Sequence, residues 1–278
     1  TLLYSMRVPL GVVAIITPWN FPLSIPVWKI APALVMGNTV VFKPASATPI
    51  MGIKLTQLLH DAGLPPGVLN VVTGAGGALG DALVTDERID GVSFTGSYAI
   101  GHALYQKTAP RMVRTHLELG GKNPVIVAAD ADVDKAVANV VRGGFGLTGQ
   151  ACTATSRVIV EKPLLREFSE RLAAAARSLP VGNGLVDVVQ MGPAVGAGQR
   201  KSDMEYIGIA RGEGATVLAG GASPEGSGYA RGYFVQPTVI TDVRPEMRIA
   251  QEEVFGPVIG VMGAGDLEEA LALANNTE

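Results

Sequence analysis

Short, continuous apolar runs alternate along the chain with longer segments in which apolar residues recur every three or four positions. The runs are VVAII (12–16), TVVFK (39–43), VLNVV (68–72), GVSFT (91–95) and NPVIVA (123–128). Strands buried on both faces read as such runs, and the periodic segments between them read as crossover helices over a parallel sheet. One unit has both helix ends marked. In TPIMGIKLTQLLHDAG, Thr48 can cap, Pro49 suits the first turn and Gly63 suits the left-handed C-terminal position. After ADADVDKAVANVV and SRVIVEKPLLREFSERLAAAARSL the alternation resumes, which predicts a second α/β unit. Glycine becomes dense and periodicity fades in VGNGLVDVVQMGPAVGAG and LAGGASPEGSGYARGY, which marks loops. DLEEALALANNTE reads as a helix followed by a turn, with no closing element.

Charge modifies this picture in one place. From Val8 to Trp28 there is no charged residue, a stretch long enough for a membrane-span filter. Pro9, Pro18, Pro22 and Pro26 would break such a helix and Asn20 would sit mid-span, so the stretch predicts a buried strand followed by an irregular apolar loop. The formal net charge is −3 with lysine and arginine scattered, and 47% of the 278 residues are hydrophobic. That balance fits two well-filled domains and small-molecule ligands, and argues against capture of nucleic acid or an anionic membrane. A single cysteine cannot form an intrachain disulfide and TLLYSMRVPLG lacks the succession of a signal peptide, so a reducing, cytoplasmic setting is expected.

Three polar sites fall where strands end. VLNVVTGAGGALGDAL offers Gly74, Gly76 and Gly80, one place off the dinucleotide fingerprint, and a plain turn that needs positive φ explains it equally well. In SFTGSYAIGHAL, Gly96 ends a strand, Ser97 can cap the next helix and Gly101 lets that helix lie close to the sheet. The helix start then suits a phosphate, although an ordinary serine cap would look the same. Lys43, in VVFKPAS beside Ser46, either reaches solvent or reaches an anion or ribose hydroxyl at the carboxyl edge of the sheet. Convergence of the three along one edge points to a nucleotide.

Candidate chemistry centres on Cys152 in LTGQACTATSR, which is either inert core or a nucleophile with room beside it, since its neighbours are small. Glu118, at the end of an apolar strand in RTHLELGGKNP, is expected to be partly desolvated and suited to general-base work, or else paired with Lys122 or Arg114. Asn20 in ITPWNFP could donate to an oxyanion or be a turn asparagine. His60, His102 and His116 have no metal spacing, so no metal site is expected. His116, two residues before Glu118, keeps a Cys152–His116 acyl hydrolase open.

Taken in order, TPWNFPL, KPAS, FTGSYAIG, ELGGKNP, GQACTATSR and EEVFGPV resemble the NAD(P)-dependent aldehyde dehydrogenase superfamily, over residues 17–258. The resemblance implies an α/β fold: a Rossmann-type parallel-sheet cofactor domain over 1–120, then an α/β catalytic domain over 121–278. Further sequence is implied before and after the chain. Cys152 then resembles the nucleophile that forms a thiohemiacetal and a thioester, Asn20 the oxyanion donor and Glu118 the base that activates water. Cofactor contacts for NAD or NADP are implied at Thr17, Trp19, Lys43, Ser46, Gly76, Gly96, Ser97, Gly101, Leu119, Glu253 and Phe255. Ser46 stands where NAD-preferring members carry a glutamate, which makes NADP plausible; Tyr98 replaces a threonine, and Ala151 a larger side chain. KPASATP with GQACTATSR looks most like the branch that oxidises α-ketoglutarate semialdehyde. The implied partners are an aldehyde and further copies of the chain, as a homodimer or homotetramer. A nucleotide-binding fragment without catalysis is the remaining alternative.

Overall fold

A computed structural model describes residues 1–277. The chain divides into two compact units, Thr1–Gly120 and the remainder from Gly121. In the first, the elements run β1 (Val12–Ile16), α1 (Ser24–Val35), β2 (Thr39–Lys43), α2 (Pro49–Asp61), β3 (Leu69–Val71), α3 (Gly76–Thr85), β4 (Gly91–Thr95), α4 (Tyr98–Thr108) and β5 (Arg114–Glu118). All five strands are parallel, in the order β3-β2-β1-β4-β5. Alternation hidden inside the apolar runs feeds two cores. Val13 and Ile15 of β1 pack with Val40, Phe42, Leu69, Ile30 and Leu55 on one face, while Ala14 and Ile16 pack with Val92, Phe94, Val84 and Leu104 on the other. Chain direction reverses at β1, so the crevice at the carboxyl ends of β1 and β4 is a topological switch point, where open α/β sheets bind ligands.

Two expectations for this unit need correction. The uncharged stretch to Trp28 is not all loop after β1: a helix begins at Ser24. Pro26 sits among the first-turn positions whose N–H groups have no helical acceptor, so it costs nothing there, and the Pro32 carbonyl still accepts from Met36 N–H at 3.2 Å. β5 is not an apolar strand either. Arg114, His116 and Glu118 alternate outward along a sheet edge. Gly63 takes φ +98° as its cap role requires, and Pro49 opens α2. Thr48 and Ser97 occupy N-cap positions but their side chains make no cap bond.

The second unit runs β6 (Pro124–Val127), α5 (Val133–Phe145), β7 (Arg157–Glu161), α6 (Lys162–Ser178), α7 (Ala197–Gly212), β8 (Thr216–Ala219), β9 (Thr238–Thr241), α8 (Arg248–Gln251), β10 (Val258–Ala264) and α9 (Leu267–Ala274). Its sheet has the order β6-β7-β10-β9-β8, parallel except for β8 against β9. Val158 and Val160 pack with Phe145, Phe168 and Leu172 on one side, while Ile207 and Ala210 pack with Ile240 and Met262 on the other. Asp132 caps α5 by accepting from Lys135 N–H, and Asp266 caps α9 by accepting from Glu269 N–H. Among the described residues no helix is long and apolar enough to cross a membrane.

Candidate active site

In the first unit, the three strand-end sites do come to one edge. Ser46 Oγ donates to the Gly74 carbonyl at 2.8 Å, tying the loop after β2 to the turn after β3. Thr17 N–H donates to the Lys43 carbonyl at 3.2 Å, continuing the β1–β2 ladder to the sheet edge. Lys43 is only 4% exposed, so it does not reach solvent. Its Nζ donates to the Pro44 carbonyl at 3.3 Å, and burial pulls its pKa below the usual lysine range. The buried hydroxyls of Thr17 and Thr95, at the ends of β1 and β4, have no hydrogen-bond partner among the described residues. Each such buried orphan costs about 1–3 kcal/mol unless something satisfies it.

The glycines divide by cause. Gly74 takes φ +156°, a turn requirement. Gly96 and Gly101 are needed for close approach: a Cβ at 96 would run into the Phe94 ring, and one at 101 into Leu119. Gly76 opens α3 in open space. Ser97 is exposed at the start of α4. Trp19 and Asn20 lie partly buried in the loop after β1.

Glu118 departs from expectation. Its side chain is 62% exposed, so the expected desolvation is not found, and its ion-pair partner is His116, Nε2 to Oε1 at 3.4 Å. His116 Nδ1 lies 3.4 Å from Ser93 Oγ, which accepts from Lys29 Nζ at 3.0 Å. Lys29 is buried; burial lowers its pKa while the Glu118 charge raises it. His60 bonds the Leu69 carbonyl and His102 stacks on Tyr98. Among the described residues no group of three or more His, Cys, Asp or Glu side chains is placed to hold a metal.

In the second unit, Cys152 is half-buried rather than packed in the core. The chain reaches it through a turn, Gly146–Gly149, in which Leu147, Thr148 and Gly149 take φ of +50°, +61° and +67°. Two consecutive non-glycine residues in the left-handed region cost about 1–2 kcal/mol each, so other bonds must hold the turn. Thr148 Oγ1 donates to the Gly192 carbonyl at 3.1 Å, and Val195 N–H donates to Gln150 Oε1 at 2.8 Å. Gly149 lies so close to the Gly256 carbonyl that no Cβ fits. Beyond the thiol, Asn123 Nδ2 donates to the carbonyls of Cys152 (2.6 Å) and Ala154 (3.0 Å). The asparagine of ELGGKNP is thus the clamp of the cysteine loop.

Glu253 is half-buried, and burial pushes its carboxyl above the usual range against the pull of the Gly121 N–H and the Lys122 charge. Phe255 beside it takes φ +59°. Lys122 is buried with no hydrogen-bond partner for Nζ; desolvation and the nearby Arg157 charge bring its pKa down to about 7, against Glu253 and Glu252. Arg157, 1% exposed, donates to the carbonyls of Lys122, Leu273 and Ala274. Asn123, Arg157 and Gln150 escape a reading of the sequence for chemistry, and Lys122 enters it only as a possible partner of Glu118. Only the motif position of Lys122 and Asn123, just after Gly-Gly, offers a signal.

A model of the aldehyde dehydrogenase family matches residues 1–278. An α-ketoglutarate semialdehyde dehydrogenase from Haloferax volcanii is 51% identical over 100% of this chain and 57% of its own length. One from Bacillus subtilis is 46% identical over 100% of this chain and 57% of its own. Betaine aldehyde dehydrogenase from Staphylococcus aureus, solved in complex with NAD+, matches with a TM-score of 0.95 at 40% identity, over 97% of this chain and 53% of that one. The chain spans little more than half the length of these relatives.

Proposed function

The chain belongs to the aldehyde dehydrogenase family, and on that premise we propose that the full-length protein oxidises α-ketoglutarate semialdehyde to its carboxylic acid with NAD+ or NADP+. The observation that carries this reading is the loop of Cys152: the chain's single thiol, half exposed, held between a left-handed turn and the Asn123 clamp. Relatives named for this aldehyde at about half identity support the substrate. The NAD+ complex of the Staphylococcus aureus enzyme supports the cofactor, and the orphaned hydroxyls of Thr17 and Thr95 are what a polar ligand at the β1–β4 crevice would satisfy.

Lys43, Ser46 and the start of α4 at Ser97 would hold the adenosine and pyrophosphate portions, and Glu253 with Phe255 the nicotinamide portion. When bound, the nicotinamide supplies a hydride acceptor. The Cys152 thiolate attacks the aldehyde carbon and the carbonyl electrons move to oxygen, where the Cys152 N–H donates to the oxyanion; the family resemblance assigns the second donor role to the Asn20 amide. With that hydride acceptor bound, transfer of the hydride from carbon to it would leave the acyl group on Cys152 as a thioester. Water then attacks the thioester and thiolate leaves with release of the acid; the family resemblance assigns to Glu118 the role of taking the proton from that water. Ser46 in place of a carboxylate leaves a 2′-phosphate acceptable, hence either cofactor. The family resemblance supports a homodimer or homotetramer.

The test is formation of NAD(P)H by full-length protein given α-ketoglutarate semialdehyde. Cys152→Ala should abolish it. Glu118→Gln should give one turnover and then accumulate acyl-Cys152, seen as an added mass on the intact protein. Steady NAD(P)H production by Cys152→Ala would overturn the reading.

A further inference from the structure

The second unit buries one carboxyl that this chemistry does not use. Asp203 lies in the middle of α7 and is fully buried. Its Oδ1 accepts from Gln199 Nε2, one helical turn earlier, at 2.8 Å, and its Oδ2 has no partner among the described residues. The same Gln199 nitrogen donates to the Val254 carbonyl at 3.1 Å. Asp203 Oδ1 also lies against Gly256, where the carboxyl occupies the space any side chain at 256 would need. One side chain therefore meets the loop after α8 at two points, directly at Gly256 and through Gln199 at Val254. Those points bracket Phe255 and its left-handed backbone. The Gly256 carbonyl in turn abuts Gly149, three residues before Cys152.

We propose that Asp203 is a positioning residue for the loop that carries Glu253 and Phe255, and so for the nicotinamide side of the cofactor assigned above. The inference rests on that assignment only for what the loop holds. Among the described residues no cation compensates Asp203. On α7, Arg200 lies over the Tyr233 ring, Lys201 pairs with Glu205 and Arg211 bonds the Gly221 carbonyl; on α8, Arg248 pairs with Glu252. Glu253, on the loop itself, interacts with Gly121 and Lys122. Burial pushes the Asp203 pKa up to about 7, with Gln199 pulling back. The loop is held in this form while Asp203 carries its proton. A carboxyl in water ionises near its ordinary value, so as pH rises from there to about 7 the form in which the carboxylate reaches water and Gln199 turns after it gains ground, and Val254 and Gly256 lose their support.

The experiment compares full-length protein with Asp203→Asn, using NAD+ as the probe, from about pH 5 to about pH 9, a range that spans both the sloping and the level regions. Up to about pH 7 the wild type should weaken in NAD+ affinity by up to about tenfold for each unit that pH rises and then level off, and the asparagine variant should stay level throughout. Hydrogen-exchange protection of the peptide covering 252–257, without cofactor, should fall over the same range in the wild type alone. The same slope in both proteins, or none in the wild type, overturns the proposal. If neither protein binds NAD+, the functional reading has failed and the exchange comparison decides this one by the same criterion. Should the asparagine variant fold poorly, Asp203→Leu, which fills the position without an ionisable group, is judged identically.

Discussion

The two units prepare their chemistry in opposite ways. Along its carboxyl edge the first unit leaves polar groups short of partners: Thr17 and Thr95 hydroxyls bonded to nothing, and a buried lysine, Lys43, with a single long bond to the next carbonyl. Around Cys152 the second unit does the reverse. It adopts a left-handed turn and then ties it from several sides, through Thr148 to Gly192, Gln150 to Val195, and Asn123 to two carbonyls. The difference follows from what the proposed function asks of each part. A reversible ligand gains affinity from hydrogen bonds that the empty protein lacks, whereas a nucleophile must stand in its reactive geometry before the substrate arrives. The second unit's own unsatisfied groups, Lys122 and Asp203, bear on the Glu253 loop, which is the part of that unit read as touching the cofactor.

Breaking the clamp should have the largest effect. Asn123→Leu keeps the size of the side chain but strips donors from the carbonyls of Cys152 and Ala154. It should cost about 2–3 kcal/mol in denaturant unfolding, and lower kcat on the order of 100-fold as the thiol drifts, with cofactor affinity little changed. Equal losses in cofactor affinity and kcat would show that the clamp does not act on the nucleophile. Thr17→Val probes the other strategy and should move stability the opposite way. Removing a buried hydroxyl with no partner should stabilise the free protein by about 1 kcal/mol, while NAD+ binding weakens several-fold. A variant that is both less stable and unchanged in NAD+ affinity would mean that the hydroxyl does not serve a ligand.

The same contrast explains what a reader of the sequence can see. Strands β1, β2 and β4 stand out because burial on both faces makes them continuous apolar runs, and their ends locate Thr17, Lys43 and Gly96 without further information. β5 is an edge strand with outward Arg114, His116 and Glu118, so its run is broken and the exposure of Glu118 is not foreseen. α1 hides behind prolines, because a breaker's meaning depends on its place in the turn, which composition alone does not reveal. Cys152 is conspicuous as a lone thiol, but its holder, Asn123, lies 29 residues away, and Asp203 on a helix reads as a solvated polar residue. Generic features of a parallel sheet are legible; side chains that tie distant segments together depend on the fold already made.

The smallest effect should come from relaxing the turn itself. Thr148 holds φ +61° and its hydroxyl donates to the Gly192 carbonyl, so one residue combines a backbone cost with a side-chain gain. Thr148→Asn should recover about 1 kcal/mol from the left-handed backbone, which asparagine tolerates better than a β-branched residue, and lose about 1 kcal/mol from the bond to Gly192. The two nearly cancel, so the melting temperature should barely move. kcat should fall modestly, because the turn keeps its shape but loses the tie that fixes its position. A variant that is clearly more stable and fully active would show that the left-handed turn alone sets Cys152 in place and that the Gly192 bond is incidental.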